Sequence, residues 1–262
     1  MSLLNQVSKE AESRIIDDDG RLPPVRINVQ GIDGIGKSTF GADSINPIVI
    51  QAEDGLGYIE DVSRFPVANT WDEILNQLES LMKEEHEYRT IVLDTTDAAS
   101  KLAEEYVVRT NGWKSPNDPK AAYGAYYVAE ENVWRHLLQG FNWLHSNKKM
   151  SVILLSHVGD KVVNDPTVGE YRAYQMRSNK KVNALIKDWV DFNLFADYDK
   201  SLNADGTAKS SGNRFLYTRY AMGYEAKSRL EIPQQLPLSW NDFYTAYANA
   251  LKPKTETKTE AA

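Results

Sequence analysis

The sequence contains no cysteine among its 262 residues. That excludes disulfides, thiolate metal sites and cysteine nucleophiles, and it fits a reducing compartment such as the cytoplasm, the expected localisation. No apolar run approaches the ~20 residues that a membrane-spanning helix needs. The N-terminal stretch MSLLNQVSKEAESRIIDDDG mixes charges of both signs and lacks the apolar core of a signal peptide. Histidine is scarce: His86, His136, His145 and His157 are the four, without HExxH or H-x-H spacing, which argues against a dedicated zinc site. Net positive charge is missing too. With 37 acidic and 30 basic side chains the formal net charge is −7, so nucleic acid could be held only by a local patch.

What is present is an ordinary globular composition, 42% hydrophobic and 26% charged. We expect an N-terminal arm over 1–23, one domain over 24–251 and a disordered charged tail over 252–262. β-Branched and apolar runs predict strands at Val25–Gln30, Pro47–Gln51, Thr90–Leu93, Ser151–Ser156, Val190–Ala196 and Phe215–Tyr220. Helical spacing predicts helices after Thr70, where Thr70 and Glu73 form a capping box, near Thr96–Val108, over about 122–146 and at Trp240–Leu251. The stripe Tyr123, Tyr127, Trp134, Leu138 and Phe141 is expected to pack in the core, and 158–181 reads as a polar loop. Strands alternating with helices predict an α/β fold with a mainly parallel sheet flanked by helices, its chemistry at the C-terminal strand ends.

The first strand runs into Gly31-Ile32-Asp33-Gly34-Ile35-Gly36-Lys37-Ser38, a complete G-x-x-x-x-G-K-[ST] phosphate loop in strand–turn–helix context. Gly31, Gly34 and Gly36 let backbone N–H groups curl around phosphates, and Thr39 continues the loop into the helix. Lys37 is placed to reach the β and γ phosphates of ATP, and Ser38 to hold Mg²⁺. The strand Thr90–Asp94 delivers Asp94 as the second metal-side residue. In AAA+ proteins a glutamate often follows that aspartate directly; here the next residue is Thr95. The alternative is Glu53, just beyond the second strand, as the group that orients the attacking water.

In order along the chain, IQAEDGLGYIED, IVLDTTDAASKL and ILLSHV resemble the core of RecA-like ATPases. The resemblance covers roughly residues 24–245, and within it the pattern is most similar to phage-encoded RecA-like ATPases of the Sak single-strand-annealing group. It implies a protein acting in phage recombination, annealing or replication inside a bacterial host. It implies Glu53 as catalytic glutamate, Asp94 as the Walker B aspartate and Ser156-His157 at the position of a polar γ-phosphate sensor. His157 stands there in place of the glutamine common in cellular recombinases. The run Ala226-Lys227-Ser228-Arg229 resembles a finger whose Lys227 and Arg229 reach a neighbouring subunit's γ-phosphate, which implies a ring or filament with shared active sites. Residues 161–187 carry a net +4, with Arg172, Tyr174, Arg177, Lys180 and Lys181 as candidate contacts to single-stranded DNA at the family's second DNA loop. A shorter loop near Arg109, Trp113, Lys114 and Lys120 corresponds to the first, and a single-strand-binding protein is a further expected partner. Two other readings stay open: a thymidylate kinase-like P-loop kinase, suggested by Asp33 in the loop although no Asp-Arg dipeptide occurs, and a non-hydrolysing nucleotide-switch loader.

Overall fold

The computed structural model describes residues 21–252; the expected arm, with its Leu3, Leu4 and Val7, and nearly all of the tail lie outside the described residues. The strands are β1 (Arg26–Gly31), β2 (Pro47–Gln51), β3 (Ser63–Arg64), β4 (Thr90–Asp94), β5 (Ser151–Asp165), β6 (Gly169–Met176), β7 (Phe192–Tyr198), β8 (Ser201–Leu202), β9 (Ala208–Lys209), β10 (Arg214–Tyr217), β11 (Lys227–Ser228) and β12 (Gln235–Pro237). The α-helices are α1 (Lys37–Ala42), α2 (Trp71–Lys83), α3 (Thr96–Thr110), α4 (Ala125–Asn147), α5 (Lys180–Trp189) and α6 (Trp240–Leu251). The main sheet runs β12-β10-β7-β1-β5-β4-β2-β3. It is parallel from β7 to β3, and β10 and β12 add antiparallel pairs at the other edge.

The central strands are buried on both faces, as parallel strands covered by helices must be, and their side chains divide by a period of two. Ile91, Leu93, Val152 and Leu154 point to one layer with Trp71, Ile74, Leu78, Trp134, Phe141 and Leu144 from α2 and α4. Val92, Ile153 and Leu155 point to the other, with Phe40 from α1 and Trp240, Phe243 and Tyr247 from α6. Helix α2 starts where its cap dictates: Thr70 Oγ1 accepts from Glu73 N at 3.2 Å, and Glu73 Oε2 accepts from Asn69 N at 2.7 Å. Among the described residues no helix is long and apolar enough to cross a membrane.

Two expectations are corrected. Residues 158–181 are not a loop. Strand β5 continues past the sheet to Asp165 and returns as β6, pairing Val158↔Met176 through Asp165↔Gly169. The turn is local chemistry: Asp165 Oδ1 accepts from Thr167 N at 2.8 Å and from Val168 N at 3.2 Å. The aromatic stripe is core only in its C-terminal part. Trp134, Leu138 and Phe141 are buried, but Tyr123 precedes the helix and is fully exposed, and Tyr127 is half exposed. The first turn of α4 packs on Val107 and Ala121 through Tyr126 instead, because there α4 meets the end of α3 and not the sheet.

Candidate active site

The loop after β1 crosses the C-terminal edge of the sheet, where β1, β5, β4 and β2 end side by side. Gly36 has φ of 112°, and a Cβ there would lie 2.7 Å from Arg214 Nη1, so only glycine fits. Gly34 in the loop and Thr39 in α1 are exposed, whereas Gly31 at the loop's start is buried. Lys37 is 5% exposed, and its ammonium donates to Gly31 O at 3.1 Å and Ile32 O at 2.9 Å. Burial holds its pKa down to about 8, against the pull of Asp33 and Asp94.

Asp94 is 3% exposed at the end of β4 and is hydrogen-bonded to Ser38. Burial raises its pKa, the Ser38 bond opposes that, and the Glu53 charge adds to it. A hydroxyl and a carboxylate joined beside a buried lysine fit a magnesium–nucleotide site, since both oxygens can turn to a divalent ion that bridges phosphates. Glu53 reaches this edge because β2 and β4 are neighbours, with Gln51 opposite Asp94 and Ala52 N donating to Asp94 O at 2.7 Å. Its Oε1 accepts from Thr95 Oγ1 at 2.8 Å. Thr95 therefore positions the carboxylate, a role that its place in the sequence did not signal.

The point where β5 leaves the sheet, at Ser156 and His157, lies between the phosphate loop and Asp94. Ser156 is fully buried and belongs to a polar chain: it accepts a hydrogen bond from Thr96 Oγ1 at 2.7 Å and donates to Asn28 Oδ1 at 2.7 Å, and Asn28 Nδ2 donates to Asn193 Oδ1 at 2.7 Å. That chain ties the start of α3 to β5, β1 and β7 below the site. His157 is the member that faces the site. Its Nδ1 donates to Asp97 Oδ2 at 3.1 Å, its Nε2 lies 3.2 Å from Asp33 Oδ1, and Nδ1 lies 4.0 Å from Glu53 Oε1. Burial disfavours the Asp97 charge, but the bonds from the His157 ring and backbone N–H outweigh it and set its pKa at about 2. Asp97 was recoverable from the sequence as the second acid of the run Asp94-Thr-Thr-Asp97.

The other candidates scatter. Arg177 is at the phosphate loop, where its Nη2 donates to Asp33 Oδ2 at 2.8 Å. Arg172 lies on the outer hairpin and pairs with Asp160, with Nε to Oδ2 at 2.8 Å. Tyr174 stacks on Phe195, ring centroids 5.5 Å apart, under Lys200 Nζ at 5.3 Å, so its ring packs on β7. Lys180 and Lys181 are exposed in the first turn of α5, with Lys181 Nζ 3.8 Å from Glu131. Lys227 and Arg229 lie toward the start of β7, away from the loop. Lys227 pairs with Asn193 and bonds Lys187 O, and Arg229 Nη1 donates to Asp191 Oδ1 at 3.0 Å. Arg214 is a residue the sequence did not signal: it comes from β10 and donates to Ile35 O at 3.2 Å across 179 positions of sequence.

Comparison with known proteins agrees with this geometry. A segment of 115 residues, 42% of the chain, is 26% identical to the SPbeta prophage-derived uncharacterized protein YorG of Bacillus subtilis (strain 168). The match spans 35% of that relative's length. The family described as AAA domain matches residues 23–230, most of the chain and every element of the site. The chain belongs to the AAA domain family, and its mostly parallel sheet flanked by helices is that of a P-loop ATPase domain.

Proposed function

We propose that the protein is a RecA-like ATPase, similar to the Sak group, that hydrolyses ATP with Mg²⁺ and acts on single-stranded DNA during phage recombination, annealing or replication. The observation that carries the hydrolytic part is the convergence of Lys37, Ser38, Asp94 and Glu53 at one sheet edge, with Glu53 held by Thr95. Magnesium held by Ser38 and Asp94 would neutralise phosphate charge. Lys37 binds the terminal phosphates, and the loop's backbone N–H groups orient them. Glu53 takes a proton from the water that attacks the γ-phosphorus, leaving ADP and phosphate.

The DNA part is supported by the placement of basic side chains. The β5–β6 hairpin begins directly after His157 and carries the exposed Arg172, and the first turn of α5 carries the exposed Lys180 and Lys181, the basic side chains that would contact DNA. Assembly into a ring or filament belongs to the same proposal. Lys227 and Arg229 would then serve a neighbour's γ-phosphate, Arg229 exchanging Asp191 for it. A single-strand-binding protein would be a further partner, and the cytoplasm of the host the site of action.

The test is ATP turnover with and without single-stranded DNA. The expected result is slow basal hydrolysis, stimulation by DNA, and loss in Lys37→Ala. Production of ADP and dTDP from ATP and dTMP would instead establish a nucleotide kinase. Nucleotide binding without turnover would establish a switch. For the shared site, mixing Arg229→Ala with Glu53→Ala protein should restore activity in hybrid sites, and the absence of any oligomer with ATP and DNA would refute it.

A further inference from the structure

Asp33 is an unusual occupant of an anion-binding loop. Its carboxylate adds negative charge where phosphates must come, and both of its oxygens are engaged by one rim of the site. His157 Nε2 lies 3.2 Å from Oδ1 and Arg177 Nη2 donates to Oδ2 at 2.8 Å. The Arg177 hydrogen bond is the main reason the Asp33 pKa is lowered, and Lys37 also acts on both groups. Asp33 thus sits near Lys37 and is bonded to Arg177, two cations of the kind that stabilise a terminal phosphate.

We propose that Arg177 is a binding residue for the terminal phosphate of a nucleoside triphosphate, that Asp33 holds it in reserve while that phosphate is absent, and that the exchange reports the nucleotide to the β5–β6 hairpin. The inference rests on the ATPase reading. A phosphate group presents more charge than Asp33 and matches the forked guanidinium equally well. Only the Nη end has to move, because Arg177 Nε donates to Val158 O at 3.2 Å and Arg177 N donates to His157 O at 3.0 Å. Those bonds join Arg177 to the root of the hairpin, where Val158 pairs with Met176. A shift of the guanidinium from Asp33 to phosphate therefore loads the hairpin root. Arg177 is in this way withdrawn from the direct DNA contacts and given to the nucleotide.

The experiment compares binding of ADP and of a non-hydrolysable ATP analogue to the full chain, by calorimetry, for wild type, Arg177→Gln and Asp33→Asn. Both side chains are substantially exposed, 45% for Arg177 and 63% for Asp33, so both substitutions leave the core intact. Arg177→Gln should weaken the triphosphate analogue by about tenfold or more, the worth of a charge-assisted hydrogen bond, with ADP within about twofold. Asp33→Asn should tighten the triphosphate analogue and leave ADP nearly unchanged. Amide exchange across 157–177 should differ between the two nucleotides in wild type and not in Arg177→Gln. Equal effects of each substitution on ADP and the analogue would overturn the inference and leave the pair a structural ion pair. Failure of wild type to bind either nucleotide would overturn the ATPase reading, and the inference with it.

Discussion

On the proposed function, Lys37 should make ATP binding a proton-linked event. Burial holds its pKa down to about 8, from an ordinary value of 10.5. Phosphates beside the ammonium should restore the charged form, so binding should take up a proton. At pH 8.5 about a quarter of empty sites carry the proton, and saturation by ATP should take up about 0.75 of a proton per site; at pH 7 the uptake should fall to about 0.1. Calorimetric titration in two buffers of different ionisation enthalpy measures that number directly. Lys37→Arg, whose guanidinium keeps its charge, should bind without the uptake. An uptake below about 0.2 of a proton at pH 8.5 would refute the reasoning, as would an uptake that persists in Lys37→Arg. Stability carries the same linkage with a definite sign. Between pH 8 and 10.5 the unfolded chain holds a proton that the folded empty protein has released, so the empty protein should gain up to about 3 kcal/mol over that window.

Glu53→Gln should keep ATP binding and lower turnover by about a hundredfold to ten-thousandfold, as expected for loss of a general base, measured by phosphate release. Gly31→Ala should cost about 1–3 kcal/mol in denaturant unfolding and weaken nucleotide binding, because its Cβ would lie 2.6 Å from Ala196 O in the neighbouring strand. Lys180→Ala with Lys181→Ala should weaken single-stranded DNA binding and flatten its salt dependence by about 0.7 in log–log slope for each phosphate no longer neutralised; an unchanged slope would remove α5 from the DNA path.

The local features were legible in the residues alone. The phosphate loop, the strands Pro47–Gln51 and Thr90–Asp94, the Thr70 cap and helix α6 depend on spacing and short-range hydrogen bonds, which a sequence displays directly. The hairpin β5–β6 was legible in principle through Asp165-Pro166 and Gly169, but a polar alternating strand that leaves the sheet looks like a loop until its partner is known. The phase of the α4 stripe depended on which neighbour its first turn meets, and periodicity contains no such information. The long-range pairings belong to the tertiary structure. Strand order puts Glu53 beside Asp94, brings Arg177 to Asp33 across 144 positions and Arg214 to Ile35 across 179, and turns Arg229 toward Asp191. Residue types state which groups can bear charge or bind phosphate; the register of a parallel sheet decides which of them share one edge, because a strand's side chains alternate faces and only its C-terminal end reaches the site.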